Sequence, residues 1–125
     1  MLLDTREGII AISPLVNLPV ATIGAANAIA VFTLPAGALI GTKSIRIVRV
    51  NLYNNAAGNT QVVIGNGIPC VAIMPALDSM NGLNDAYGPE TGLIGVESFA
   101  TLTAFPVALA AGTSIDIQLE LLIVG

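Results

Sequence analysis

The sequence predicts an all-β fold, an antiparallel β-sandwich of about eight strands, and three observations support this. Glycine (13 residues) and proline (7 residues) recur too often for long helices. Between them lie short runs of Val, Ile, Thr and Phe, which are residue types that favour strands. The final segment alternates strictly, because Ile115, Ile117, Leu119, Leu121 and Ile123 fall on one face of a strand.

Eight strands are expected, and each is a short apolar run that ends in turn residues. Asn66-Gly67 and Ala111-Gly112 are examples of such turns. Only residues 75–85, with Pro75 at their start, suggest a helical turn. The strands are expected at residues 8–13, 20–23, 28–34, 44–53, 60–65, 70–74, 99–105 and 114–124.

The strand at 44–53 requires an irregularity, because its apolar alternation changes phase between Ile47 and Val48. One extra residue at that point, a β-bulge, restores a single apolar face. The strand then has an inner and an outer face. Ile45, Ile47, Val50 and Leu52 point inward, and Arg46, Arg49, Asn51 and Tyr53 point outward.

Two segments of the chain are similar to each other: GTKSIRI from Gly41 and GTSIDI from Gly112. Each is a Gly-Thr turn that leads into a long strand. Shared turn chemistry is the simpler explanation, and two sheets entered by similar corners are the alternative. The outward charges of the two strands are opposite. Such charges help to set the register where they face each other across strands or subunits. The simpler interpretation is that the two strands expose their charges to solvent on faces that do not contact each other.

The composition predicts that identical copies associate. Hydrophobic residues make up 54% of the chain and charged residues only 10%, against about 25% charged in a typical domain. The second face of the last strand becomes apolar at its end, which suggests that another chain covers it. The residues predicted at the interface between copies are Leu122, Val124, Arg46, Arg49, Tyr53, Asp116 and Glu120.

Residues 1–27 are interpreted as an N-terminal arm with the first short strands, and residues 28–125 as the sandwich domain. Pro14 and Pro19 favour an extended arm over a buried central strand. Apolar residues in an arm need a surface, and we expect a neighbouring subunit to supply it. The predicted arm contacts are Leu2, Leu3, Ile9, Ile10, Leu15, Val16 and Leu18.

No set of residues indicates catalysis, so we expect a protein that is not an enzyme and needs no cofactor or metal. Histidine is absent, which removes the commonest general base and metal ligand. The one cysteine, Cys70, lies in an apolar run and is expected in the core. Oxygen-bearing side chains in the 75–98 loop could hold Ca²⁺ or contact a partner, but their spacing does not match an EF-hand, and a solvated loop is the simpler interpretation. They are Asp78, Asn81, Asn84, Asp85 and Glu90.

Membrane and nucleic-acid partners are not expected. Residues 8–42 carry no charge, but Pro, Asn and Gly interrupt them too often for a transmembrane helix. The net charge of −4 and a pI near 4.3 oppose binding to nucleic acid. The N-terminus lacks the basic and apolar regions of a secretory signal, so we expect either that the chain stays in the cytoplasm where it is made or that the sequence is that of a mature form.

The arm at 1–27, the short strands, the two Gly-Thr corners and the apolar terminal strand together resemble small decoration, or cement, proteins of tailed-bacteriophage capsids. The resemblance covers most of the chain as a pattern and includes no family-specific residue motif. It implies a jelly-roll-like sandwich, a homotrimer, a location on the virion surface and the major capsid protein as partner. Alternatives are a filament or pilus subunit that assembles by strand or arm exchange, and a carbohydrate-binding β-sandwich.

Overall fold

The computed structural model describes residues 9–33, 44–55, 58–79, 84–87, 95–96 and 101–124. Two antiparallel sheets pack against each other in these residues, which confirms the predicted all-β sandwich. No helix within the described ranges has the length and apolar character needed to cross a membrane.

The described part of the chain forms eleven strands and two 3-10 turns. In chain order the strands are β1 (Ile9–Ile12), β2 (Val16–Pro19), β3 (Ile29–Thr33), β4 (Ser44–Asn54), β5 (Thr60–Asn66), β6 (Val71–Ala72), β7 (Leu77–Ser79), β8 (Asn84–Tyr87), β9 (Gly95–Val96), β10 (Thr101–Pro106) and β11 (Ser114–Val124). The 3-10 turns are Val20–Thr22 and Ala25–Asn27.

Each sheet has four strand positions across its width. In sheet A, β11 and β4 lie at the centre, β1 and β2 lie one after the other along the free side of β11, and β8 and β9 lie along β4. In sheet B the order is β3, β10 and β5. Strands β6 and β7 both lie along the side of β5 that faces away from β10. Among the described strands, β1 and β2 form one edge of sheet A and β8 and β9 the other, while β3 forms one edge of sheet B and β6 and β7 the other.

The core lies between the sheets and takes alternate residues from every long strand, as sheet packing requires. In β11 the predicted inward residues Ile115, Ile117, Leu119 and Leu121 are fully buried. The other core residues are Leu18, Val31, Ile47, Val50, Leu52, Val62, Ile64, Met74, Leu77, Leu102 and Ala104.

The predicted β-bulge in the strand that begins near residue 44 is confirmed. Ile47 pairs with Leu121, and Arg49 pairs with Glu120, so Val48 is the extra residue on β4. Ile47, Val50 and Leu52 are buried as predicted, and the Arg49 side chain lies on the opposite face, partly exposed. The Ile45 and Arg46 side chains lie outside the described residues.

Strands β4 and β11 are the two segments with similar sequences, and they pair with each other in sheet A. The alternative in which each enters a different sheet is therefore wrong. Their outward side chains share one face of one sheet, because the strands are antiparallel neighbours and their side chains alternate in the same register.

The predicted strand at 20–23 is wrong. Residues Val20–Thr22 form a 3-10 turn that closes with a hydrogen bond from Ile23 N to Val20 O of 3.1 Å. Thr22 Oγ1 donates to Pro19 O at 2.6 Å, which holds the turn against the end of β2. The chain must turn here because β2 belongs to sheet A and β3 to sheet B, and Gly24 with φ of 96° serves this crossing.

The helical turn predicted in 75–85 does not occur in the described part of that range, residues 75–79 and 84–85. Leu77–Ser79 and Asn84–Tyr87 are strands, on β5 and β4 respectively. Leu77 and Ser79 are buried while Asp78 between them is exposed, which is the alternation of a strand. Pairing with strands distant in sequence therefore determines the extended conformation of these residues, whereas the position of Pro75 had suggested a helical turn.

The turn after β5 folds over the outer face of sheet B. Cys70 is buried there, with Sγ 3.9 Å from Thr103 O, and Thr103 Oγ1 donates to Gly67 O at 2.7 Å. Cys70 is buried as expected, but it lies in this turn on the outer face of sheet B and not in the core cluster between the sheets. Gly65 lies beneath this turn, and the close approach leaves no room for a side chain.

Candidate association surface

The outer face of sheet A carries most of the residues predicted at a subunit interface. Alternation along β4 and β11 places their polar residues on this face, opposite the buried set. We define the outer face by residues Asn17, Arg49, Asn51, Tyr53, Asp116, Gln118, Glu120 and Leu122. Each of these side chains is exposed or half-buried, so the face is accessible in the single chain.

Asp116 accepts hydrogen bonds from two amide side chains on this face. Asn17 Nδ2 donates to Oδ1 at 2.8 Å, and Asn55 Nδ2 donates to Oδ2 at 3.2 Å. Tyr53 is the residue directly opposite Asp116 on β4. The carboxylate therefore links β2 to the end of β4 within one chain.

Glu120 is the second acidic residue of the face, and its partners lie on β4. Arg49 Nε is 3.6 Å from Glu120 Oε2, and Asn51 Nδ2 donates to the same oxygen at 3.3 Å. The interpretation of two solvated faces that never meet is therefore wrong, since the opposite charges face each other across neighbouring strands. The Arg49 and Glu120 side chains are 42% and 31% exposed, so the pair contributes at most about 1 kcal/mol.

Two predicted interface residues, Leu122 and Val124, lie at the end of β11, and a third, Arg46, lies beside them on β4. Leu122 is half-buried on the outer face and pairs in register with Arg46. Val124 pairs in register with Ser44. The side chains of Arg46 and Val124 lie outside the described residues. Contact of these residues with another copy stays a prediction.

From Ile9 onward, the predicted arm runs along β11 of its own chain. Ile9 and Ile10 pair with Ile123 and Leu122, and Val16 pairs with Ile117. Leu18 is fully buried and so belongs to the core of its own chain rather than to the exterior of an arm. Leu2 and Leu3 lie outside the described residues.

A bulge separates β1 from β2 and keeps both on β11. Ile12 pairs with Glu120 and Val16 with Ile117, so three residues of the edge lie opposite two of β11. Ser13 bridges this point, because its N–H donates to Leu119 O and its Oγ accepts from Leu119 N, both at 2.8 Å. The ladder thus continues although Pro14 has no N–H to donate.

Exposed apolar side chains accompany this edge. Ile12 is 61% exposed and Leu15 is 54% exposed, and Val20 follows in the turn after β2. A second exposed pair, Ile68 and Val71, lies on the turn that covers sheet B. Single exposed apolar residues are ordinary, but Ile12 and Leu15 lie on a strand edge, where backbone groups are also available for pairing.

No group of three or more His, Cys, Asp or Glu side chains comes together in the part of the chain that the structure describes. In the loop considered for Ca²⁺, the Asp78 carboxylate accepts from Gln61 Nε2 at 2.9 Å, and its carbonyl accepts from the Tyr87 hydroxyl. Asn81 and Glu90 lie outside the described residues, as do the side chains of Asn84 and Asp85.

Sequence reasoning missed the polar residues that join the edge to the sheet. Ser13 ends the strand expected at 8–13, Asn17 lies in the expected arm and Asn55 follows the strand expected at 44–53, and no local pattern gives them a partner. The available signal was the alternation around Leu18, which places Asn17 on the face opposite a buried leucine. The partner of each residue is distant in sequence, so only the pairing of β2 with β11 reveals its role.

No protein-family model and no curated protein matches this chain. Among solved structures, the chain is similar to a Bacillus endospore appendage protein of a family of disulfide-linked pili, with 12% identity and a TM-score of 0.44. The match covers 100% of this chain and 97% of that chain.

Proposed function

We propose that this protein is a structural subunit, not an enzyme, and that it assembles with copies of itself. The observation that carries the proposal is the edge of sheet A, where Ile12 and Leu15 are 61% and 54% exposed and no described strand pairs on the outer side. Only 10% of the residues are charged, so few charges are available to oppose association. Apolar surface next to unpaired backbone favours contact between subunits.

The specific role that we propose is decoration of a tailed-bacteriophage capsid. It rests on the resemblance of the sequence pattern, and it entails a homo-oligomer, a trimer in that family, that contacts the major capsid protein. The chain would be made in the host cytoplasm and act at the virion surface. Neither nucleic acid nor a membrane enters this role.

A filament subunit is the second candidate, and strand β2 favours it. Val16–Pro19 is an edge strand that inserts the fully buried Leu18 into the core. An edge strand of this kind can be supplied by a neighbouring copy instead of by the same chain. Repetition of such an exchange in one direction would produce an open filament rather than a closed ring.

The test is the mass of the purified full chain in solution, measured by light scattering over a range of concentrations. We expect an oligomer, and electron microscopy then distinguishes closed particles from filaments. Replacing both Leu122 and Val124 with Asp should weaken association while circular dichroism still reports a folded β protein. A chain that remains a monomer at every concentration would contradict the proposal.

A further inference from the structure

We propose that strand β1, Ile9–Ile12, pairs in antiparallel fashion with β1 of a second copy across a twofold axis. The inference rests on the proposed self-association and specifies the edge and the symmetry of one contact. It concerns the backbone of β1 and the exposed side chain of Ile12.

The hydrogen bonds of Ser13 define which backbone groups of β1 remain available. Ser13 N donates to Leu119 O at 2.8 Å, so the backbone of Ser13 points towards β11. In an antiparallel ladder the direction alternates with each residue. The N–H and C=O groups of Ile9 and Ala11 therefore point towards β11, whereas those of Ile10 and Ile12 point away from it.

This edge lacks the features that prevent pairing in other proteins. Natural edge strands are commonly protected by charged side chains, prolines or bulges. Residues 8–42 contain no charged residue, and the large apolar side chain of Ile12 is 61% exposed. Among the described residues, protecting features follow β1, at the bulge and at Pro14. The unprotected part is therefore β1 itself.

A second copy of β1 complements this edge because the pattern of outward groups is symmetric about Ala11. With Ala11 opposite Ala11 of the second copy, Ile10 of each chain lies opposite Ile12 of the other. Both residues direct their backbone groups outward, so each such pair can exchange both of its N–H···O bonds. A twofold axis relates two copies so that the β1 edge of each pairs with the same edge of the other.

The other candidate edge, β3 in sheet B, is less suited to pairing. Its register against β10 shifts beside Val31, which marks a bulge in the strand, and bulges discourage edge-to-edge pairing. Its exposed residues, Ala30 and Thr33, are small or polar. We therefore assign the contact to β1.

The symmetry of this contact has a consequence for the assembly. An isologous contact produces a dimer and cannot by itself close a ring of three. A trimer would therefore need a different surface, such as the outer face of sheet A, and the twofold contact would then join copies of different rings. The mass of the assembly and the location of the contact can be measured by separate experiments.

Hydrogen exchange on the full chain, at low and high protein concentration, tests the location. We expect the amides of Ile10 and Ile12 to exchange at least about tenfold more slowly in the concentrated sample, while the amide of Ala11 is protected in both. A native mass spectrum of the same samples should show a shift from monomer to dimer or to an even-numbered oligomer.

A matched pair of variants tests the role of the edge. Ile12→Lys should raise the dissociation constant at least about tenfold, because it adds a protecting charge to β1. Val71→Lys places the same charge at a similarly exposed apolar position, on the turn that covers sheet B, and should leave the constant within about twofold of wild type. Thermal unfolding of both variants checks that the sandwich remains folded.

The outcomes separate this inference from the proposed function. Oligomers whose Ile10 and Ile12 amides show no dependence on concentration would overturn the β1 contact and leave self-association standing. Amides that are protected equally in the monomer would show that another segment of the same chain occupies this edge, which also overturns the inference. Equal weakening of the association by Ile12→Lys and Val71→Lys would also overturn it. A chain that is always monomeric overturns both proposals.

Discussion

Ser13 and Leu119 exchange two hydrogen bonds across the bulge that separates β1 from β2. The backbone N–H of Ser13 donates to Leu119 O, and the Ser13 hydroxyl takes the place of a backbone carbonyl as acceptor for Leu119 N, each at 2.8 Å. Ser13 Oγ also donates to Pro14 O at 3.1 Å. Both residues are buried, so one hydroxyl satisfies a buried N–H that the bulge would otherwise leave without a partner.

Replacing Ser13 with Ala should therefore destabilise the protein by about 1–3 kcal/mol, because the amide of Leu119 loses its acceptor in a buried position. Urea unfolding measures the change in the free energy of unfolding. Thr113→Ala is the control, since the Thr113 hydroxyl bonds only to the nearby Ala110 O at an exposed turn. Thr113→Ala should lower the free energy of unfolding by less than about 0.5 kcal/mol. Similar losses in both variants would contradict the role assigned to Ser13.

The sequence predicted those parts of the fold that depend on local alternation. The inward set of β11 and the bulge at Val48 follow from which residues are apolar, because a strand has a side-chain period of two. Both are as expected in the structure. The sandwich architecture also followed, since Gly and Pro limit the length of every segment.

The sequence did not predict features that depend on which strands become neighbours. Leu18 was assigned to an arm because Pro14 and Pro19 interrupt its segment, yet edge strands tolerate proline and Leu18 lies in the core. The pairing of Arg49 with Glu120 depends on β4 lying beside β11. Neither fact is encoded in a local pattern, and the residues concerned are far apart in the chain.

The Arg49–Glu120 pair should contribute little to stability, because both side chains are partly exposed and 3.6 Å separates Arg49 Nε from Glu120 Oε2. A double-mutant cycle with Arg49→Met and Glu120→Gln should give a coupling energy below about 1 kcal/mol. The coupling should decrease further in 1 M salt, which screens exposed charges. A coupling that is larger and insensitive to salt would indicate that the pair is shielded from water in solution, as in an assembled interface.

Asn54 should be important for stability because its buried amide joins the end of β4 to the loop before β5 and to strand β7. Nδ2 donates to Ser79 O at 3.0 Å and to Gly58 O at 3.2 Å. Asn54→Ala should lower the free energy of unfolding by about 1–3 kcal/mol, and Asn54→Asp by more, since a carboxylate would face two carbonyl oxygens. Chemical denaturation measures both. Asn55→Ala, at the exposed neighbouring position, is the control and should cost about 0.5 kcal/mol or less.

Gly65 should not tolerate a side chain, because the turn that carries Cys70 crosses directly above it. A Cβ at this position would lie 2.2 Å from Val71 O and 2.6 Å from Cys70 Sγ. The closest of these atoms belongs to the backbone, so a rotamer change cannot relieve the clash. Gly65→Ala should therefore destabilise the protein by about 3 kcal/mol or more, near the upper end of the cost of overpacking.

Gly58→Ala is the matched control for Gly65→Ala, because a Cβ at Gly58 would have no atom within 4 Å apart from those of Gly58 and its two chain neighbours. It makes the same chemical change and should alter the free energy of unfolding by less than about 1 kcal/mol. Displacement of the turn should also increase the reactivity of the buried Cys70 thiol towards a thiol reagent in Gly65→Ala but not in Gly58→Ala. If Cys70 stays unreactive and Gly65→Ala is as stable as Gly58→Ala, the turn does not pack on sheet B as described.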